Sequence, residues 1–310
     1  MKRYDLSIEV RVLANYVVQA KEQMIQEMKR YYASNLVEKL PQGALFVAKL
    51  SGCIITAYRS GKVLFQGKDA EKEAERWNGS LRSQQTNEEM LTTVSAIGSD
   101  EVGTGDYFGP VVVVAAYVAK EQIATMKRLG VKDSKQLTDE MITRLAPALM
   151  DHLHYASVIL TNPEYNRWQQ RGMPQTKIKA LLHNEAIGKL MNTLSQRPDA
   201  IIIDQFIERN LYFRYLEGEK NVIREHVHCI PKAETVHVAV AAASIIARYL
   251  FLQELNYLGE TVGIVLPKGA GEQVDKAAAY LIQTHGEAIL HSCAKFHFAN
   301  TEKAQRIANR

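Results

Sequence analysis

Residues 94–118 constrain the fold more than any other segment. An apolar run, Val94 to Gly98, leads into Ser99-Asp100-Glu101-Val102-Gly103-Thr104-Gly105-Asp106-Tyr107-Phe108-Gly109-Pro110, and a second apolar run, Val111 to Val118, follows. Two apolar runs of strand length flanking a glycine-rich segment predict two β-strands joined by a turn. The turn is too long for a two-residue hairpin. Its glycines permit positive φ and close approach of the backbone to a ligand. Two adjacent carboxylates therefore stand at a strand end beside a loop able to touch something large. Divalent metal binding and phosphate chemistry suit that arrangement. Asp-Glu beside Gly also occurs in ordinary turns, so the reading rests on matching acids elsewhere.

Matching acids are present. Asp204 follows the apolar run Ile201-Ile202-Ile203, and Glu234 follows the run Val227 to Ile230 after Pro231-Lys232-Ala233. Acids at the ends of adjacent buried strands can converge on one point. Converging carboxylates repel one another, and their pKa values rise unless a cation neutralises them. Mg²⁺ or Mn²⁺ does so with oxygen ligands, and a pair of such ions about 4 Å apart can serve phosphodiester cleavage. Candidate metal and catalytic residues are thus Asp100, Glu101, Asp204 and Glu234.

Composition limits the partners. The chain has 310 residues, 46% of them hydrophobic and 23% charged, which fits a globular protein with a sizeable core. The net charge of +4 permits nucleic acid, and residues 1–90 carry most of the excess, with 14 Lys and Arg against 11 Asp and Glu. Cys53, Cys229 and Cys293 are too far apart for a CxxC zinc pattern and odd in number for a disulfide framework. A reduced, cytoplasmic protein is expected. No membrane-spanning run is expected, and the N-terminus has charges where a secretory signal has an apolar core.

The chain divides at a polar, aperiodic linker over 78–92. Before it, the pattern predicts a strand at Tyr16–Gln19, a helix from Lys21 to Leu40, strands at Ala44–Leu50, Cys53–Tyr58 and Val63–Gln66, and a helix from Asp69 to Trp77. Ser60-Gly61 makes a tight hairpin between the last two strands. One sheet face is left open in this β-α-β-β-β-α order, with Lys49, Tyr58, Arg59, Lys62 and Phe65 as candidates for it. After the linker come the strand pair, a helix at Glu121–Leu129, a helix capped by Thr138 and running to His152, a strand at Tyr155–Leu160, and a helix at Lys177–Leu194. Strands at Ala200–Ile203 and His226–Ile230 and a buried helix from Thr235 to Tyr257 complete the reading. Alternating strands and helices predict an α/β domain with a mixed sheet. His226 and His228 are read as partly exposed strand residues, and His237 as a possible proton shuttle. Lys268-Gly269-Ala270-Gly271 is a glycine-rich turn but not a phosphate-binding Walker sequence.

These motifs together resemble the type 2 ribonucleases H, and within them ribonuclease HIII. Asp100-Glu101-Val102-Gly103-Thr104-Gly105 with Gly109-Pro110 is similar to the family's Asp-Glu-x-Gly-x-Gly…Gly-Pro signature. Asp133-Ser134-Lys135 is similar to its Asp-Ser-Lys, Ile202-Ile203-Asp204 to its third-acid strand, and Lys232-Ala233-Glu234 with Ala241 to Arg248 to its fourth-acid segment and helix. Thr104 in place of the Arg usual in ribonuclease HII, and Glu234 in place of Asp, look like ribonuclease HIII.

The resemblance implies a ribonuclease H-like mixed-sheet catalytic domain over 92–310. It also implies a small N-terminal α+β domain over 1–85, similar to the TATA-box-binding protein, that grips substrate. It implies an endonuclease that cuts the RNA strand of RNA–DNA hybrids with Mg²⁺ or Mn²⁺, leaving 5′-phosphate and 3′-hydroxyl ends. Gly103, Thr104, Gly105, Ser134 and Lys135 are the implied substrate-binding residues. No membrane and no obligate protein partner is expected, and the chain is read as a monomer. Cleavage at single embedded ribonucleotides, and a non-catalytic nucleic-acid binder, are the alternatives.

Overall fold

The computed structural model describes residues 15–77, 90–131 and 134–309. The chain forms two compact units, Met1–Asn87 and Glu88–Arg310. Most of the linker segment and the first 14 residues lie outside the described residues.

In the first unit, strands β1 (Asn15–Gln19), β2 (Ala44–Lys49), β3 (Ile54–Tyr58) and β4 (Lys62–Gln66) make an antiparallel sheet in the order β1-β4-β3-β2. Helices α1 (Glu22–Tyr31) and α2 (70–77) contribute to its core. Alternation sets the faces: Phe46, Ala48, Ile55, Ala57, Val63 and Phe65 point into a core with Met28, Tyr32, Ala70 and Ala74. Phe65 is fully buried and does not belong to the open face, whereas Lys49, Arg59 and Lys62 are exposed.

The first helix ends nine residues before the expected Leu40. A 3₁₀ turn at Ala33–Asn35 follows it, and Leu36 leaves the helix to bridge Ala48. The apolar spacing of Leu36 and Leu40 thus belongs to a strand-like edge. Helical periodicity alone could not separate the two.

The second unit is built on a mixed sheet. Strands β5 (Ala96–Val102), β6 (Val111–Val118), β7 (His154–Leu160), β8 (Ala200–Asp204) and β9 (Val227–Ile230) take the order β7-β6-β5-β8-β9. β5 runs antiparallel to β6 and parallel to β8, which is parallel to β9. β5 starts two residues later than expected and runs four further. Its ladder with β6 holds through Val102↔Val112, so Asp100 and Glu101 lie within the strand and not beyond it.

Helices cover both faces of this sheet. Helix α3 is Ile123–Arg128, α4 is Asp139–His152 with its N-terminus capped by Thr138, α5 is Asn162–Gln170, α6 is Gln175–Met191, and α7 is Arg209–Tyr215. Helix α8 is Val238–Val262, α9 is Glu272–His285, α10 is Leu290–Cys293, and α11 is Asn300–Ala308. On β6, Val112, Val114 and Ala116 pack towards α4 and α8, while Val111, Val113 and Ala115 pack towards α6. A strand buried on both faces reads as a continuous apolar run, which is why Val111–Val118 was legible as a strand.

Helix α8 is long and apolar enough to cross a membrane by length and composition, although Arg248 and Glu254 interrupt its apolar run. It is instead mostly buried as a core helix. Its small residues allow close approach to β5: a Cβ built on Gly98 would lie 2.1 Å from the Val240 backbone nitrogen. α8 begins three residues after the expected Thr235, because His237 caps it. The His237 Nδ1 accepts from the Ala239 N–H at 3.0 Å, and Nε2 lies 3.1 Å from the Val94 carbonyl. His237 is buried and structural, not a proton shuttle.

Candidate active site

Strand alternation separates the two adjacent acids. Gly98 and Asp100 face α8, where the Ser244 hydroxyl bonds the Asp100 carboxylate. Ser99 and Glu101 face α6. The Ser99 hydroxyl donates to the Val114 carbonyl at 3.0 Å and lies 2.7 Å from His183 Nδ1, and His183 Nε2 lies 3.0 Å from a Glu101 carboxylate oxygen. Lys179, one turn before His183 on α6, pairs with the other Glu101 oxygen. Phe206 holds both partners: its ring stacks on His183 at 5.2 Å, and Lys179 Nζ stands 4.1 Å from its centroid.

The remaining acids come from the neighbouring parallel strands. The β5–β8 register pairs Ser99 with Ile203, so its continuation sets Asp100 beside Asp204 at the carboxyl ends of β5 and β8. Ligands of open α/β sheets bind at such ends. The Ala233 N–H donates to Asp204 at 3.0 Å, which fastens the Ala233–Thr235 3₁₀ turn and its Glu234 against the end of β8. Lys232 enters that turn in the left-handed conformation, φ +54°.

The acids act on one another in pairs: Glu101 and Asp204 on Asp100, and Glu234 and Glu101 on Asp204. Burial pushes the Asp100 carboxyl up to about 7, and the charges of Glu101 and Asp204 add to that rise. Asp204 is raised by burial and by Glu234 and Glu101, against the pull of the Ala233 N–H. Burial would also raise Glu101, but the hydrogen bond and charge of His183, together with Lys179, outweigh it and hold Glu101 below the usual range. Glu234 is nearly buried; one of its oxygens lies 3.3 Å from Lys135 Nζ, and the other is buried without a hydrogen-bond partner. Among the described residues, no three acid, His or Cys side chains close into a ready metal cage. Even so, an all-oxygen set with an orphaned carboxylate oxygen and a raised Asp100 fits a hard divalent cation.

The other expected residues lie around this cluster. Lys135 pairs with Glu234 and feels Asp204 and Asp100. Ser134 opens the Ser134–Gln136 3₁₀ turn, and Asp133 of the same motif lies outside the described residues. The glycine loop is held from behind: the Thr104 carbonyl accepts from Gln175 at 2.8 Å, and the Asp106 carboxylate accepts the Gly269 N–H at 2.6 Å. That second bond gives the Lys268–Gly271 turn a role, as a clamp on the loop. Gly103 (φ +93°) must be glycine, because a Cβ there would lie 2.2 Å from the Pro110 carbonyl. Gly105 opens to free space.

Sequence reasoning missed Lys179, His183 and Phe206. Two signals pointed to them: an i, i+4 Lys–His pair on one helix, and an aromatic residue two places after Asp204.

The ribonuclease HII family model matches residues 97–301, a span that holds all four acids, and a domain of unknown function, DUF3378, matches residues 15–90. A ribonuclease HIII of Geobacillus sp. strain WCH70 is 66% identical over 301 residues, spanning 96% of this chain and all of that one. The chain belongs to the ribonuclease HIII family. It is therefore a type 2 ribonuclease H, an endoribonuclease. Among solved structures, that of Bst-RNase HIII in complex with Mn²⁺ is 55% identical with a TM-score of 0.72, covering 96% of this chain and all of that one. The ribonuclease H2 of Pyrococcus horikoshii, 23% identical with a TM-score of 0.57 over 70% of this chain, shares the fold. The mixed α/β architecture is thus that of the family.

Proposed function

We propose that the chain hydrolyses the RNA strand of RNA–DNA hybrids, with Asp100, Glu101, Asp204 and Glu234 holding two divalent ions, Mg²⁺ or Mn²⁺. The observation that supports this reading is the register that sets Asp100 beside Asp204, with a Glu234 oxygen buried without a hydrogen-bond partner and an Asp100 carboxyl raised to about 7. The relative solved with Mn²⁺ supports the choice of ion. When bound, the ions neutralise the acids, make water nucleophilic at neutral pH and stabilise the charge that develops on the phosphate and the departing 3′-oxygen. Breaking the P–O3′ bond leaves a 5′-phosphate and a 3′-hydroxyl.

The chain's own groups do the rest. Lys179 and His183 keep Glu101 ionised and aimed, and the Ser244 hydroxyl aims Asp100, partly opposing the rise that burial imposes on it. Lys135 brings positive charge to the rim, where a scissile phosphate would approach, with Ser134 beside it in the chain. Gly103, Thr104 and Gly105 present backbone to the minor groove, where 2′-hydroxyls distinguish RNA from DNA. The first unit grips the duplex through its open sheet face.

Cleavage of two labelled duplexes tests this reading, one a continuous RNA–DNA hybrid and the other DNA with a single embedded ribonucleotide. Chelator-sensitive cutting of the hybrid alone is expected with Mg²⁺ or Mn²⁺. Efficient cutting at the single ribonucleotide would assign the specificity of ribonuclease HII instead. Tight binding without cutting would leave a nucleic-acid binder.

A further inference from the structure

Lys295 is fully buried, among the largest such side chains in the chain, and no step above uses it. It lies directly behind the glycine loop. The Lys295 backbone N–H donates to the Tyr107 carbonyl at 2.9 Å. Its ammonium donates to the Asp106 carbonyl at 2.8 Å and to the Gly109 carbonyl. The segment before it runs antiparallel to the loop, with Phe108 bridging Ala294 and the Gly109 N–H donating to the Cys293 carbonyl at 2.9 Å. Helix α5 braces the arrangement from the far side. Asn162 donates to the same Gly109 carbonyl at 2.9 Å, while Asn166 donates to the Ala294 carbonyl at 2.8 Å and accepts the Phe296 N–H at 3.0 Å.

An ammonium shut away from water is costly unless carbonyl dipoles replace its hydration. Burial pulls Lys295 down to about 7, partly opposed by the charge of Asp106. The loop that offers those dipoles is drawn inward by them. With the Thr104 carbonyl also turned in to Gln175, the carbonyls of Thr104, Asp106, Tyr107 and Gly109 are engaged within the protein. Among the described residues no hydrogen bond engages the Thr104 and Gly105 amides. A loop so arranged leaves the Thr104 and Gly105 N–H groups as donors, as hydroxyl and phosphate oxygens require.

We propose that Lys295 is a positioning residue that sets the Gly103–Gly109 loop in its substrate-reading conformation by gathering the loop's carbonyls on its buried ammonium. This rests on the reading that the loop contacts the hybrid. Lys295 touches no substrate atom and stands apart from the acids, so it governs binding more than chemistry.

Steady-state kinetics of the full chain on a continuous hybrid test this. Lys295→Met, shown folded by a cooperative thermal transition, is expected to raise KM at least tenfold with kcat within threefold. A folded variant with unchanged KM overturns the proposal. Should Lys295→Met not fold, Asn162→Ala, which withdraws the other side-chain donor from the Gly109 carbonyl, decides in its place: a raised KM supports the proposal and an unchanged KM overturns it. Gly105→Ala separates the two readings, because its Cβ meets nothing within the protein. Unchanged KM there removes the loop from the substrate, and the proposal falls with it. Raised KM in Gly105→Ala but not in the Lys295 or Asn162 variants overturns the role of Lys295 alone.

Discussion

Asp100 and Glu101 are neighbours in sequence and opposites in environment. Glu101 has a buried histidine and a lysine against it; Asp100 has a serine hydroxyl and two other acids nearby. The first is held ionised and the second resists ionisation until a cation arrives. Asp100→Asn is therefore expected to abolish hybrid cleavage, a loss of at least ~10³-fold in kcat, while hybrid binding measured by anisotropy stays within threefold. The same group sets a pH dependence in chelator. Between the ordinary carboxylate pKa of 3.8 and about 7, the folded chain holds a proton that the unfolded chain has lost, so stability falls as pH rises through that window. Asp100→Asn removes this penalty. Its melting temperature is expected to exceed the parent's at pH 8 by several degrees, at about 2–4 °C per kcal/mol for a unit this size. The gap should close towards pH 4, and scanning calorimetry across that range would read it.

At the scale of elements, the site depends on how closely α8 lies against β5. Gly98 is the point of contact, and a side chain there meets the backbone of Ala239 and Val240. Gly98→Ala is expected to cost the upper part of the ~1–3 kcal/mol typical of overpacking, read as a lower urea midpoint with unchanged slope. Activity should fall too, because α8 carries Ser244 to Asp100. α6 supplies the other half of the site through Lys179 and His183. Replacing Lys179 with Met leaves Glu101 buried beside His183 alone, and hybrid cleavage should drop by about tenfold or more.

Across the whole molecule, the proposed function assigns substrate grip to the first unit and chemistry to the second. The four candidate acids all lie in Glu88–Arg310, whereas most of the excess positive charge lies in the first unit. Removing residues 1–87 is expected to raise KM for the hybrid far more than it lowers kcat. Equal KM values for the two proteins would deny the first unit its role in binding.

The strands carrying or preceding the acids were legible in the sequence because the buried stretches of β5 and β8 are mostly apolar and lead straight into Asp100 and Asp204. Asp100, Glu101, Asp204 and Glu234 could be named on that ground, as could the glycine loop. Other features were invisible for a common reason: they depend on contacts between distant segments. Leu36 continues a helical period yet bridges Ala48, and His237 caps a helix because Val94 lies near it. The segment between α10 and α11 contributes Lys295, whose meaning comes only from carbonyls 186 and 189 residues away. Hydrophobic periodicity reports which side of an element is buried. It says nothing of which partner is buried against it, and that partner decides whether a buried charge is an orphan, a ligand or a brace.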